Sequence, residues 1–164
     1  MTAKHILVPT DFSEYADQAL DYATQLAQQL QAYITLLHII DTTPLGVVEG
    51  AAMLPPSYWQ ELETGLEQIM EESLKRLHDV GLQGETVIVH GVPFQTIIDT
   101  AKDKGSDLII MGTHGRTGLP HALMGSVAEK VVRLAPCPVL VTRATTEASP
   151  PQEAGDDARR SLHF

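Results

Sequence analysis

The sequence predicts an α/β fold: a three-layer sandwich on a five-stranded parallel sheet of order 3-2-1-4-5, Rossmann-like in its winding. Three observations predict it. Five short apolar runs recur along the chain, HILVP, YITLLHII, ETVIVH, DLIIM and PVLVTR. The stretches between them carry apolar residues at threes and fours, the helical period. Alternating strands and helices imply parallel neighbours, since these need a crossover, and such crossovers are right-handed in about 98% of cases.

Taken in order, the first strand covers residues 5–9 and stops near Pro9, before Thr10 and Asp11. Ala16, Ala19, Leu20, Ala23, Leu26, Ala27 and Leu30 then mark an amphipathic helix of about 18 residues. Asp11 or Ser13 is placed to cap it by accepting from its free amides. Residues 33–40 are β-branched and apolar throughout, as in a strand covered on both faces. A long connection from Thr42 to Tyr58 follows, with three prolines and two glycines. Its length reads either as a lid or as a contact surface.

Leu62, Leu66, Ile69, Met70, Leu74 and Leu77 give a second helix, ended near Gly81, and residues 85–90 a third strand. Pro93 is placed to open a short helix buried through Ile97, Ile98 and Ala101 and closed by Gly105. Residues 107–111 form strand four. Val127, Ala128, Val131, Val132 and Ala135 mark the last helix, and residues 138–143 strand five. From Ala144 to Phe164 the chain is rich in Pro, Ser, Glu and Asp without periodicity, so a domain over 1–143 and a mobile tail over 144–164 are expected.

With 164 residues, 43% of them hydrophobic, the chain suits one domain with one continuous core. Its 21 acids against 11 bases give a formal charge of -10, a field that repels nucleic acid and anionic membranes. A small anion is still admissible, because backbone amides and a bound cation act at close range while surface charge is screened within about 8 Å. The single cysteine, Cys137, excludes an internal disulfide and reads as a small buried apolar residue. No apolar run approaches the roughly 18 residues of a membrane span, and the start carries no signal-type segment, so a cytoplasmic location is expected.

In open parallel sheets, ligands bind beyond the carboxyl ends of the strands, where successive strands turn off in opposite directions. Order 3-2-1-4-5 puts that crevice between Pro9-Thr10-Asp11 and Gly112 onward. There the sequence reads GTHGRTGLPHALMGS, with glycines at 112, 115, 118 and 125 and Ser126 opening the last helix. Without a Cβ the backbone can turn with positive φ and approach a ligand closely, and turn amides with a helix N-terminus form a nest for phosphate. Several charge-assisted hydrogen bonds of about 1.5–3 kcal/mol each are enough for micromolar binding near about -8 kcal/mol after ordering costs. A plain surface turn is the competing reading of the same glycines. Asp11 can accept from an adenine amino group or a ribose hydroxyl, or cap helix one, or both. His114 and Arg116 suit the phosphate side or plain solvation. His38 and His90 lie on strands and read as core or strand-end residues rather than ligands.

GTHGRTGLPHALMGS resembles the GxxG, nine residues, G[ST] motif of the ATP-binding subgroup of the universal stress protein family. Gly112, Gly115, Gly125 and Ser126 fill its places. ILVPTDFSEYADQAL, LLHIID and APCPVLVTR are similar to the same family, so the likeness spans residues 1–143. It implies an adenine nucleotide alpha hydrolase-like fold, with adenine near Pro9, Thr10, Asp11 and Ile39. Ribose and phosphates would lie along Met111, Gly112, His114, Gly115 and Arg116 and at Gly125, Ser126 and Val127. It also implies ATP, ADP or AMP as ligand, a Mg2+-type ion bridging the phosphates, and a homodimer through strand 138–143, whose edge would otherwise be open to pairing.

The resemblance makes the chain a regulatory nucleotide-binding module of stress responses, acting on an unknown protein partner, and not an enzyme. PTDFSE stands where related α/β folds that activate substrates with ATP carry an SGGxDS loop or an HxGH signature, and neither a P-loop nor an HExxH helix occurs. Slow ATP hydrolysis, with His114 or Asp11 positioning water, is one alternative. An ATP-independent dimerisation module with a vestigial pocket is another. Flavin or dinucleotide binding lacks its GxGxxG.

Overall fold

The computed structural model describes residues 3–43, 55–114 and 124–143, apart from the side chains of Pro56 and Tyr58. The expectations for Gly115, Arg116, most of the 42–57 connection and the 144–164 tail fall outside them. In chain order the elements are β1 (His5–Thr10), α1 (Glu14–Leu30), β2 (Tyr33–Asp41), α2 (Pro56–Asp79), β3 (Gly84–Gly91), α3 (Pro93–Asp103), β4 (Leu108–Gly112), α4 (Ser126–Leu134) and β5 (Val139–Thr142). The strands form one sheet of order β3-β2-β1-β4-β5, and every pairing is parallel. The predicted class and strand order are those observed.

The alternation of side chains along each central strand builds two cores. Ile6, Val8, Ile34 and Leu36 point to one face and pack with Ala19, Ala23, Ala27, Met70 and Leu77 from α1 and α2. Leu7, Leu37, Ile109 and Met111 point to the other and pack with Ile97, Ala101, Ala128 and Val131 from α3 and α4. Helices on both faces explain why β1 and β2 are apolar almost without interruption. Among the described residues no helix is long and apolar enough to cross a membrane.

Local chemistry sets the helix ends. Ser13, not Asp11, caps α1: its hydroxyl accepts from the Ala16 amide at 3.3 Å. Asp11 braces that cap, its Oδ1 accepting from the Ser13 amide at 3.1 Å and the Ser13 hydroxyl at 2.6 Å. Gly81 (φ 79°) and Gly105 (φ 62°) follow α2 and α3 in the left-handed conformation that glycine adopts without a Cβ clash. The second helix begins earlier than its leucine spacing indicates. Pro55 is its N-cap and Pro56 stands in its first turn, where a missing N–H removes no hydrogen bond.

At the amino ends of the strands a polar network ties β1, β2, β3 and the α3–β4 turn together. Fully buried Thr35 donates to Glu85 Oε1 at 2.9 Å and lies 2.7 Å from His5 Nε2. Lys104 Nζ stands 2.8 Å from the same Glu85 oxygen, and Asp107 Oδ2 accepts from the amides of Lys4 and His5. Glu85 and Asp107 are held below the usual carboxylate range, Glu85 chiefly by the hydrogen bond from Lys104 and Asp107 by its two backbone amides. Cys137 is half-buried against the α3–α4 core rather than fully buried.

Candidate functional site

At the opposite end of the sheet, β1 and β4 are neighbours whose chains leave towards helices on opposite faces. A cleft of about 640 Å3 opens there, at the position the strand order requires. Every described residue expected at the site lines it. Pro9, Thr10 and Asp11 come from the end of β1 and its turn, and Ile39 from β2. Met111, Gly112 and His114 follow from β4, and Gly125, Ser126 and Val127 from the start of α4. Gly115 and Arg116 lie outside the described residues.

The cleft also has walls that motif reasoning did not reach. Leu62 and Leu66 of α2 and Ile97 of α3 supply apolar surface, while His38 and Asp41 on β2, Pro93 and Thr113 add polar or rigid edges. The helical spacing of Leu62 and Leu66 marked them as buried but could not say against what. His38 is buried, 6% exposed, with its Nδ1 2.9 Å from the Thr10 carbonyl. It is a satisfied strand residue, as expected, and it also borders the cleft. His90 is exposed and pairs with Glu63 at 2.8 Å, a strand-end role.

The two described glycines of the motif serve internal packing. A Cβ on Gly112 would stand 2.9 Å from the Tyr15 carbonyl oxygen and 3.0 Å from its carbon, so the start of α1 can lie against β4 only over a glycine. A Cβ on Gly125 would stand 3.1 Å from the Thr113 carbonyl, to which the Gly125 amide donates at 2.8 Å. Gly125 has φ -69° and ψ 153°, open to any residue, so close approach and not positive φ selects glycine there. The sequence suggests ligand approach as the reason for both glycines; at these two positions the close neighbour is the protein's own backbone.

The positive potential of the described cleft comes from backbone dipoles. Helix α4 has no side-chain N-cap, and its Ser126, Val127 and Ala128 open onto the cleft. These first-turn amides have no partner further back in the helix, and the helix dipole leaves partial positive charge at this end. Asp11 and Asp41 are the carboxylates of the described lining, and it contains no lysine or arginine. Among the described residues no group of three or more His, Cys, Asp or Glu could hold a metal ion unaided.

Comparison with known proteins agrees on this architecture. The sequence profile described as the universal stress protein family matches residues 2–143. The universal stress protein MJ0577 of Methanocaldococcus jannaschii is 38% identical over 153 residues, covering 85% of this chain and 94% of that one. Its solved structure superposes with a TM-score of 0.79 at 37% identity, over 89% of this chain and 99% of the other. The universal stress protein UspA from Lactobacillus plantarum gives a TM-score of 0.76 at 30% identity, over 87% and 99%. A universal stress protein solved in complex with cAMP shares the fold, with a TM-score of 0.63 at 22% identity over 87% and 98%.

Proposed function

This chain belongs to the universal stress protein family, and on that premise we propose that it binds an adenine nucleotide, ATP or its lower phosphates, in the cleft at the carboxyl ends of β1 and β4. One observation carries the reading: the uncapped N-terminus of α4 opens into the same cleft as the apolar wall of Ile39, Leu62, Leu66 and Met111. A flat apolar base and a polyanionic chain ask for those two surfaces side by side. A protein of this fold has been solved with cAMP, an adenine nucleotide.

The base would lie by Pro9, Thr10, Asp11 and Ile39, and the phosphates by Gly112, His114, Gly125, Ser126 and Val127, with Gly115 and Arg116 completing the phosphate side. Mg2+ would arrive on the nucleotide's phosphate oxygens, since this ion is bound in nucleotide sites largely by phosphates and water. It would lower the charge that a chain of formal charge -10 must accept. We read the chain as a cytoplasmic regulatory module, a domain over 1–143 pairing with a second copy through β5, and not as a catalyst. Two imidazoles border the cleft. His38 Nδ1 is engaged with the Thr10 carbonyl, and His114 Nδ1 lies 3.2 Å from Thr113 Oγ1.

Calorimetric titration of the nucleotide-stripped protein with ATP, ADP and AMP, each with magnesium, tests the binding. Micromolar affinity that weakens as phosphates are removed is expected, and its loss in Gly115→Val. No binding by the wild type would overturn the proposal. Phosphate release above that of a Gly115→Asp control would overturn the non-catalytic reading, and a monomer in sedimentation the pairing.

A further inference from the structure

The turn that carries Asp11 has an unusual backbone. Phe12 has φ 61°, in the left-handed region that a bulky residue rarely adopts. Such a conformation is unfavourable for a bulky side chain and persists only where its surroundings over-determine it. Three contacts do so. The Phe12 amide donates to Thr10 Oγ1 at 3.0 Å. The Phe12 ring stacks on the imidazole of His38, with centroids 4.4 Å apart and planes 26° apart. His38 Nδ1 stands 2.9 Å from the Thr10 carbonyl oxygen. A carbonyl accepts only, so Nδ1 carries the proton of that bond.

The geometry points to His38 as a positioning residue for the nucleotide site. One buried imidazole, on the neighbouring strand, grips the turn at both of its ends: at Thr10 by a hydrogen bond and at Phe12 by ring stacking. Asp11 lies between these two points, and its carboxylate is steered further by the Ser13 amide and hydroxyl. His38 thereby fixes where the Asp11 backbone and carboxylate stand relative to the cleft, without itself having to touch the ligand. The inference rests on the nucleotide reading for its functional consequence and on the turn alone for its mechanical part.

The test separates the two. His38→Leu removes both the hydrogen bond and the aromatic stack. His38→Asn restores a donor in the place of Nδ1, because the Asn amide nitrogen can occupy that position. Leu77→Ala is the control: Leu77 is buried, 1% exposed, in the α1–α2 core and does not line the cleft. Each folded variant is titrated with Mg-ATP, and amide hydrogen exchange is followed at Phe12 and Ser13. His38→Leu is expected to weaken Mg-ATP binding about tenfold, the scale of one lost hydrogen bond, and to speed exchange at both amides. His38→Asn should recover part of each loss, and Leu77→Ala should weaken stability with little change in affinity.

Unchanged exchange in His38→Leu relative to Leu77→Ala would overturn the positioning role. So would unchanged affinity of His38→Leu for Mg-ATP. If the wild type fails to bind Mg-ATP while His38→Leu still loosens the turn, the nucleotide reading falls and the mechanical role of His38 stands.

Discussion

The amide of Gly125 donates to the carbonyl of Thr113 across 2.8 Å, so the start of α4 is tied directly to the end of β4. Both sides of that junction are anchored. Thr113 also reaches β5, its amide donating to the Thr142 carbonyl at 2.9 Å, and the Gly125 carbonyl accepts from the Glu129 amide inside α4. The junction therefore joins the end of β4, β5 and the start of α4.

Closing that junction more loosely should weaken nucleotide binding. In Gly125→Ala the new Cβ would lie 3.1 Å from the Thr113 carbonyl, tighter than ordinary contact, so the strand end and helix start must move apart. A loss of about 1 kcal/mol in stability is expected, the lower end of overpacking effects, with a several-fold loss of affinity for Mg-ATP. Urea unfolding and calorimetry read the two separately. Affinity equal to wild type would mean that the phosphates do not depend on this junction.

Gly112→Ala should act on the fold more strongly than on the site. Its Cβ would meet backbone atoms of Tyr15 at 2.9 and 3.0 Å, which no side-chain rotation can relieve. The start of α1 must lift from β4, at a cost of about 1–3 kcal/mol. A urea midpoint indistinguishable from wild type would show that the contact between β4 and α1 yields freely.

Much of this was legible from the sequence because the fold follows from two periods. The unbroken apolar runs at residues 5–9 and 33–40 identify strands covered on both faces, and the alanine spacing from Ala16 to Ala27 identifies a helix lying close on them. The crevice followed from strand order alone. What stayed hidden depends on distances between segments far apart in the chain. Leu62 and Leu66 carry the same helical signal whether they face a core or a cleft. The left-handed φ of Phe12 has no local mark, since glycine or asparagine is the residue that announces it, and here a contact from His38 on another strand stands in. The opening of α2 was readable in Pro55-Pro56, a helix-start signal that the apolar spacing from Leu62 onward outweighed. Gly112 lines the cleft, but the close neighbour that requires a glycine there, the backbone of Tyr15 in α1, lies far from it in the chain.

The network at the amino ends of the strands predicts where acid stability fails. Glu85 and Asp107 are held below their ordinary values of 4.5 and 3.8, so in this range the unfolded chain binds more protons than the native one. Their contribution is complete above about pH 4.5 to 5 and is lost as pH falls through the depressed native values. Urea stability should therefore decline below that range, and less steeply in Glu85→Gln and in Asp107→Asn than in wild type. An acid limb of the same slope in both variants would assign the decline to other carboxylates.

Cys137 should behave as a guarded thiol. Burial, and then the negative charge of Asp107, push it above its ordinary value of 9.0, and the thiolate is the reactive form. At pH 8 the native protein should therefore react with iodoacetamide more slowly than the urea-unfolded chain, in which both effects vanish. Asp107→Asn should quicken the native reaction slightly by removing the smaller of the two causes, leaving burial in place. Native alkylation as fast as that of the unfolded chain would mean that the packing of Cys137 against the α3–α4 core opens readily. In that case β5, which begins two residues later at Val139, would be open to the same motion.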